Sequence, residues 1–153
     1  MDSLLSDSFH LDDLMPLIRE SLETGRPVIL PPRGTSMLPL LRQGIDSVRL
    51  SPVPDKLKKY DLPLYQRGGG QYVLHRIVDV NGTYTCIGDN QFVLEPGVRQ
   101  DQMIAVVTHI FRGNREIPVT GIGYRLYCRF WHYTRFIRKI YRGCKERLRR
   151  LLK

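Results

Sequence analysis

Residues Tyr72 to Asn90 read YVLHRIVDVNGTYTCIGDN, and the centre of this stretch decides the fold. Val, Ile, Tyr and Thr dominate both sides of Asn81-Gly82. Asn-Gly is the pair that a tight two-residue connection between antiparallel strands favours, because both of its positions need positive φ. The spacing predicts a strand over Tyr72–Val80, a turn at Asn81-Gly82 and a return strand over Thr83–Ile87. A two-residue turn sets the register, so Val80 opposes Thr83 and His75 opposes Gly88. Asp89 follows where Gly88 breaks the strand. The hairpin is thus expected to bring an imidazole and a carboxylate within side-chain reach of each other. Taken singly, each has an ordinary explanation: a half-buried strand histidine, and a turn aspartate bonded to its own backbone.

Working outward, the pattern of short strands continues on both sides. Val48 and Leu50 alternate in RQGIDSVRL as in a strand, and Asp61–Tyr65 forms another beyond the Pro- and Lys-rich loop SPVPDKLKKYD. Arg26–Leu30 is a short strand closed by Pro31-Pro32, whose missing N–H groups mark a sheet edge or exit. Downstream, Gln91–Gln100 is expected to be a loop containing Glu95, Pro96 and Gly97. Strands over Met103–Phe111 and Glu116–Val119 follow, joined by a turn at Arg112-Gly113-Asn114. Many short antiparallel strands predict a mainly β fold, a bent sheet or partial barrel.

Helical periodicity brackets this β region. Leu11, Leu14, Met15, Ile18 and Leu22 recur at helical spacing over residues 11–24, with Pro16 in the first turn, the regular part starting near Asp13, and Gly25 as a stop. From about Tyr124, the residues Leu126, Phe130, Tyr133, Ile137, Ile140, Cys144, Leu148 and Leu151 step by three or four along one stripe. Arg and Lys occupy the opposite side, and Gly143 is a place to kink. The chain therefore divides into a β body with its N-terminal helix, residues 1–120, and a basic amphipathic tail, residues 121–153.

Charge follows the same division. The 153 residues carry a net charge of +9, while residues 121–153 hold 11 Lys/Arg against the single acid Glu146, so the rest of the chain is nearly neutral. A cationic amphipathic helix with Tyr127 and Trp131 beside its apolar stripe suits the headgroup region of an anionic bilayer. The stripe docking on the body or on a second copy is the competing expectation. The cationic side could also contact nucleic-acid phosphates without reading sequence, and nucleic acid is the less favoured partner. The oligomeric state is not legible. No stretch reaches the ~18 apolar residues of a membrane span, and the acidic start MDSLLSDSFHLDD lacks a signal-peptide core. Three widely spaced cysteines, Cys86, Cys128 and Cys144, make neither a disulfide framework nor a metal-ligand pattern. Together these predict a cytoplasmic protein without metal or cofactor, peripheral on the inner face of the membrane if the tail is its anchor.

The chemistry starts from GTSMLPLL, Gly34 to Leu41. Gly34 permits a tight turn, Ser36 falls where a loop enters a short helical turn, and Pro39 suits its first residues. Backbone N–H groups there are free to hold an oxyanion. The octapeptide fits a nucleophile and a helix cap about equally. A serine needs a base. Of His10, His75, His109 and His132, His75 is the one on a strand with a carboxylate beside it. The lysines lie in a loop or in the tail. Ser, His and acid together make the scheme of acyl transfer.

GTSMLPLL, YDLPLY, YVLHRIVDV and IGDNQFVLEPG, in this order, resemble the boxes of type I signal peptidases and the related self-cleaving repressor peptidases. The match runs from about Pro32 to Val107. His-Arg, where the bacterial branch has lysine, is similar to the archaeal and endoplasmic-reticulum branch. The resemblance implies a bent antiparallel sheet, Ser36 as nucleophile, His75 as base, and either Asp89 or Glu95 as the acid. Hairpin geometry favours Asp89. Glu95 occupies a second acidic position that usually holds Asp. A peptide or protein substrate would lie extended along a strand edge and be cleaved after a small residue. Gly34-Thr35 stands where signal peptidases usually have Ser-Gly, and Ile45 is inserted between Gly44 and Asp46. An inactive peptidase-like module that only holds peptides is the other function these residues fit.

Overall fold

The structure is a computed structural model describing residues 11–152. The acidic N-terminal stretch up to His10, and Lys153, lie outside the described residues.

A first helix, α1, covers Leu11–Glu23, with Asp12 and Asp13 in its first turn where the helix dipole favours negative charge. Nine strands follow: β1 (Val28–Leu30), β2 (Asp46–Ser51), β3 (Pro63–Gln66), β4 (Tyr72–Leu74), β5 (Arg76–Asn81), β6 (Thr83–Ile87), β7 (Glu95–Val98), β8 (Met103–Arg112) and β9 (Arg115–Pro118). Two helices close the chain, α2 (Ile122–Tyr133) and α3 (Arg135–Leu151). All strand pairs are antiparallel. One sheet runs β1-β2-β8-β3-β4, with β9 also on β8, and the second is β5-β6-β7. The expected β-rich body with flanking helices is present as two sheets, and among the described residues no barrel closes.

The larger core packs α1 through Met15, Ile18 and Leu22 onto Val48, Leu50, Leu64, Val107 and Ile110 of the first sheet. The inward positions of β2 alternate strictly with half-buried ones, as period-two patterning requires. Tyr124 and Cys128 of α2 belong to this same core, so the boundary at residue 120 separates composition but not packing. A smaller core joins Leu57, Tyr65, Ile77, Tyr84, Cys86, Val98 and Met103.

Three expectations are corrected. The strand over Tyr72–Val80 is two strands, split at His75. There the His75 N–H donates to the Pro63 carbonyl and the Ile77 N–H to the Asp61 carbonyl, which carries the chain from one sheet into the other. The stretch expected to be a loop contains β7, which pairs Cys86 with Glu95 and Tyr84 with Val98. Its Pro96 and Gly97 read locally as a loop, and Gly97 has φ of 77°. The single tail helix is broken at Thr134 instead of Gly143. The Thr134 hydroxyl donates to the Phe130 carbonyl at 2.7 Å, a back-bond that bends helices.

The hairpin forms with a different turn register. Asn81 faces Thr83 with Gly82 at the apex, and an irregularity between Ile77 and Asp79 absorbs the offset. Arg76 then faces Ile87, as a direct two-residue turn would have it.

Candidate active site

Ser36 and His75 line one cavity of about 840 Å³. Two edge strands of the larger sheet, β1 and β4, border it through Leu30 and through Tyr72, Val73 and Leu74, and Leu11 and Leu14 of α1 form an apolar wall. Ser36 is half-buried in a series of turns instead of the expected helical turn, and the Leu38–Pro39 peptide bond there is cis. Among the described residues no hydrogen bond joins the Ser36 hydroxyl to the His75 ring.

His75 is 2% exposed, at the break between the two sheets. Its Nδ1 lies 3.0 Å from Glu95 Oε1. The hydrogen-bonding around Glu95 is dense. Tyr65 Oη donates to its Oε2 at 2.9 Å, Arg67 Nε donates to the same oxygen at 2.8 Å, and a second guanidinium nitrogen of Arg67 contacts Oε1. With the Tyr65 proton given to Glu95, the phenol oxygen also lies 3.4 Å from His75 Nδ1 as an acceptor. These acceptors favour the tautomer protonated at Nδ1, which leaves Nε2 with its lone pair.

Burial lowers the pKa of His75 below its ordinary value of 6.5, more than Glu95 raises it. Burial would raise the Glu95 carboxyl, but the bonds from Arg67 and Tyr65 and the charge of His75 hold it below its ordinary value. The imidazole is therefore neutral near pH 7 and the carboxylate ionised.

Asp89 has another role. It is held by Arg76 through two bonds, Nε to Oδ1 at 2.8 Å and Nη2 to Oδ2 at 2.7 Å, and it accepts from Tyr127 Oη at 2.8 Å. Arg76 is itself 2% exposed and bonds Tyr124. The expectation that Asp89 orients the imidazole is corrected: its carboxylate is spent on compensating a buried arginine. Glu95, the alternative, reaches His75 because β7 pairs with β6 and sets Glu95 opposite Cys86.

The Gly88-Asp89-Asn90 turn instead positions the serine loop. The Asn90 N–H donates to the Ser36 carbonyl at 2.8 Å, and Asn90 Nδ2 to the Thr35 carbonyl at 3.1 Å. Gly88 packs so closely that a Cβ there would lie 2.7 Å from the Ser36 carbonyl oxygen. The tail grips the other side of this turn. Trp131 Nε1 donates to the Asp89 carbonyl at 2.7 Å, and Arg142 Nη2 to Asn90 Oδ1 at 2.6 Å. Arg138 lies over the Trp131 ring at 3.7 Å and donates to the same Asp89 carbonyl at 3.2 Å.

Sequence reasoning missed Tyr65, Arg67 and the aromatic clamp of Tyr127 and Trp131. Tyr65 and Arg67 lie ten and eight residues before His75 and reach Glu95 only through the β3–β4 hairpin. No local spacing rule signals that. Among the described residues no group of His, Cys, Asp and Glu is arranged to hold a metal ion. No family model, curated protein or solved structure matches the chain.

Proposed function

We propose that this protein is a serine endopeptidase of signal-peptidase-like architecture, acting on an extended peptide segment. The observation that carries the proposal is the pairing of His75 Nδ1 with Glu95 at 3.0 Å, on a cavity wall shared with Ser36. In this mechanism Glu95 fixes the ring, and Nε2 takes the Ser36 proton as the hydroxyl oxygen attacks the scissile carbonyl. The Ser36 N–H and a neighbouring backbone N–H hold the oxyanion. His75 then returns the proton to the departing amine, and water repeats the sequence on the acyl-enzyme. The two free sheet edges flanking the cavity suit a substrate that adds as a strand, with its backbone groups paired and its side chains alternating into and out of the apolar cavity.

The test is covalent labelling with a fluorophosphonate. Wild type is expected to label at one serine, and both Ser36→Ala and His75→Ala to lose the label. Equal labelling of wild type and Ser36→Ala removes Ser36 from the role. Peptide binding with no labelling of wild type favours the module that holds peptides without turnover, a reading supported by the absence of a Ser36–His75 hydrogen bond among the described residues.

A further inference from the structure

The tail helices bury one side and expose the other. Tyr124 and Cys128 are in the core, and Trp131 bonds the Asp89 carbonyl. At ~100° per residue these positions share one side of α2. Leu126, Phe130 and Tyr133 fall on the opposite side, and Ile137, Ile140 and Leu148 continue that side along α3. All six are exposed, by 51% to 73%. Phe136 and Tyr141, also exposed, flank the stripe. Docking on the body, one of the outcomes expected for this stripe, is thus not what the fold does. The body instead takes the aromatic and arginine side.

We propose that this outward face is a binding surface for an anionic lipid bilayer, with α2 and α3 lying in the headgroup plane between the membrane and the β body. The proposal does not depend on the peptidase assignment. Three observations choose the occupant. The apolar stripe spans two helices on the side away from the body, so the body stays docked while the stripe enters lipid. Exposed Arg129, Lys139, Lys145, Arg147 and Arg150 lie among a tail of 11 Lys/Arg and one acid, complementary to anionic headgroups. A second copy would set one such cationic tail against another with only Glu146 to offset the repulsion. Nucleic acid would neutralise the cations but leave the six apolar side chains in water. A lipid surface satisfies both halves of the helix at once.

Flotation of the full chain with vesicles tests this. The chain is expected to float with phosphatidylcholine vesicles containing about 30% phosphatidylglycerol, much less with phosphatidylcholine alone, and less as NaCl rises from about 50 to about 500 mM. The double variant Ile137→Glu/Ile140→Glu changes two exposed side chains, so it should keep the wild-type thermal transition while losing at least about tenfold in vesicle partitioning. No flotation of wild type with either vesicle overturns the proposal. So does equal flotation of wild type and the double variant. A salt-resistant dimer in sedimentation that the double variant dissolves, without flotation of wild type, assigns the face to a second copy and likewise overturns it.

Discussion

At His75 two opposing effects act on one ring. Burial favours the neutral form and the nearby carboxylate favours the cation, and burial prevails. A base that must be neutral is therefore available further into the acid range than an exposed histidine. The rate of fluorophosphonate labelling is expected to rise with pH through a midpoint below the ordinary value of 6.5 and to stay level above it. A midpoint at or above that value would mean that the carboxylate outweighs burial at this ring. The stability linked to His75 has the same sign: it is fully present above the ordinary histidine value and is lost as pH falls through the lowered one. The two acids separate by a different criterion. Glu95→Gln should slow labelling by about 10²–10⁴-fold with a small change in melting temperature, because it removes the partner of Nδ1. Asp89→Asn should cost about 3–5 kcal/mol of stability, because it leaves the buried Arg76 without its counter-charge. Labelling kinetics and thermal melts of both variants decide, and the reverse pattern would return the orienting role to Asp89.

At the scale of elements, the turn after β6 is the joint of the site. It is pinned on one side to the serine loop by Asn90 and on the other to α2 and α3 by Trp131, Arg138 and Arg142. Gly88 is needed for contact and not for backbone freedom, because a Cβ there would meet the carbonyl oxygen of Ser36 at 2.7 Å. Backbone cannot move aside as a flexible side chain can. Gly88→Ala is therefore expected to displace Ser36 and lower the labelling rate by about 10–100-fold, with a loss of stability of about 1–3 kcal/mol. An unchanged rate would mean that the serine loop is not held by this contact. The buried ion cluster at Asp46 works in the same way on the loop's other end. Burial opposes ionisation of Asp46, yet bonds from Arg42 and Arg112 bring its pKa down to about 2, and Arg112 also donates to the Leu40 carbonyl at 2.8 Å. The GTSMLPLL segment is thus tied at both ends by polar contacts instead of being carried on a helix.

Across the whole molecule, the two sides of the tail helices have different surroundings. One side completes the larger core and steadies the turn beneath Ser36; the other leaves its apolar residues in the open. No helix among the described residues is long and apolar enough to cross a membrane. Cys86 and Cys128 are buried, and burial pushes the Cys86 thiol up to about 12 and raises that of Cys128, so both stay protonated near neutral pH.

Much of this was legible in the chain order of residues. The Asn81-Gly82 hairpin, the alternation of β2, the period of α1 and the charged tail all follow from neighbours a few positions apart, and turn chemistry and periodicity act at that range. Ser36 and His75 stood out as candidates for the same reason: one sits in a tight turn, the other just before the first strand of that hairpin. What folding alone decided is which acid serves the histidine, where the long strand breaks, and which way the apolar stripe of the tail faces. Each depends on pairings between distant segments: β7 on β6, His75 on Pro63, Trp131 on Asp89. Local spacing placed Asp89 nearest to His75. The burial of Arg76 took that carboxylate, because an uncompensated charge in the interior costs more than a longer reach from Glu95.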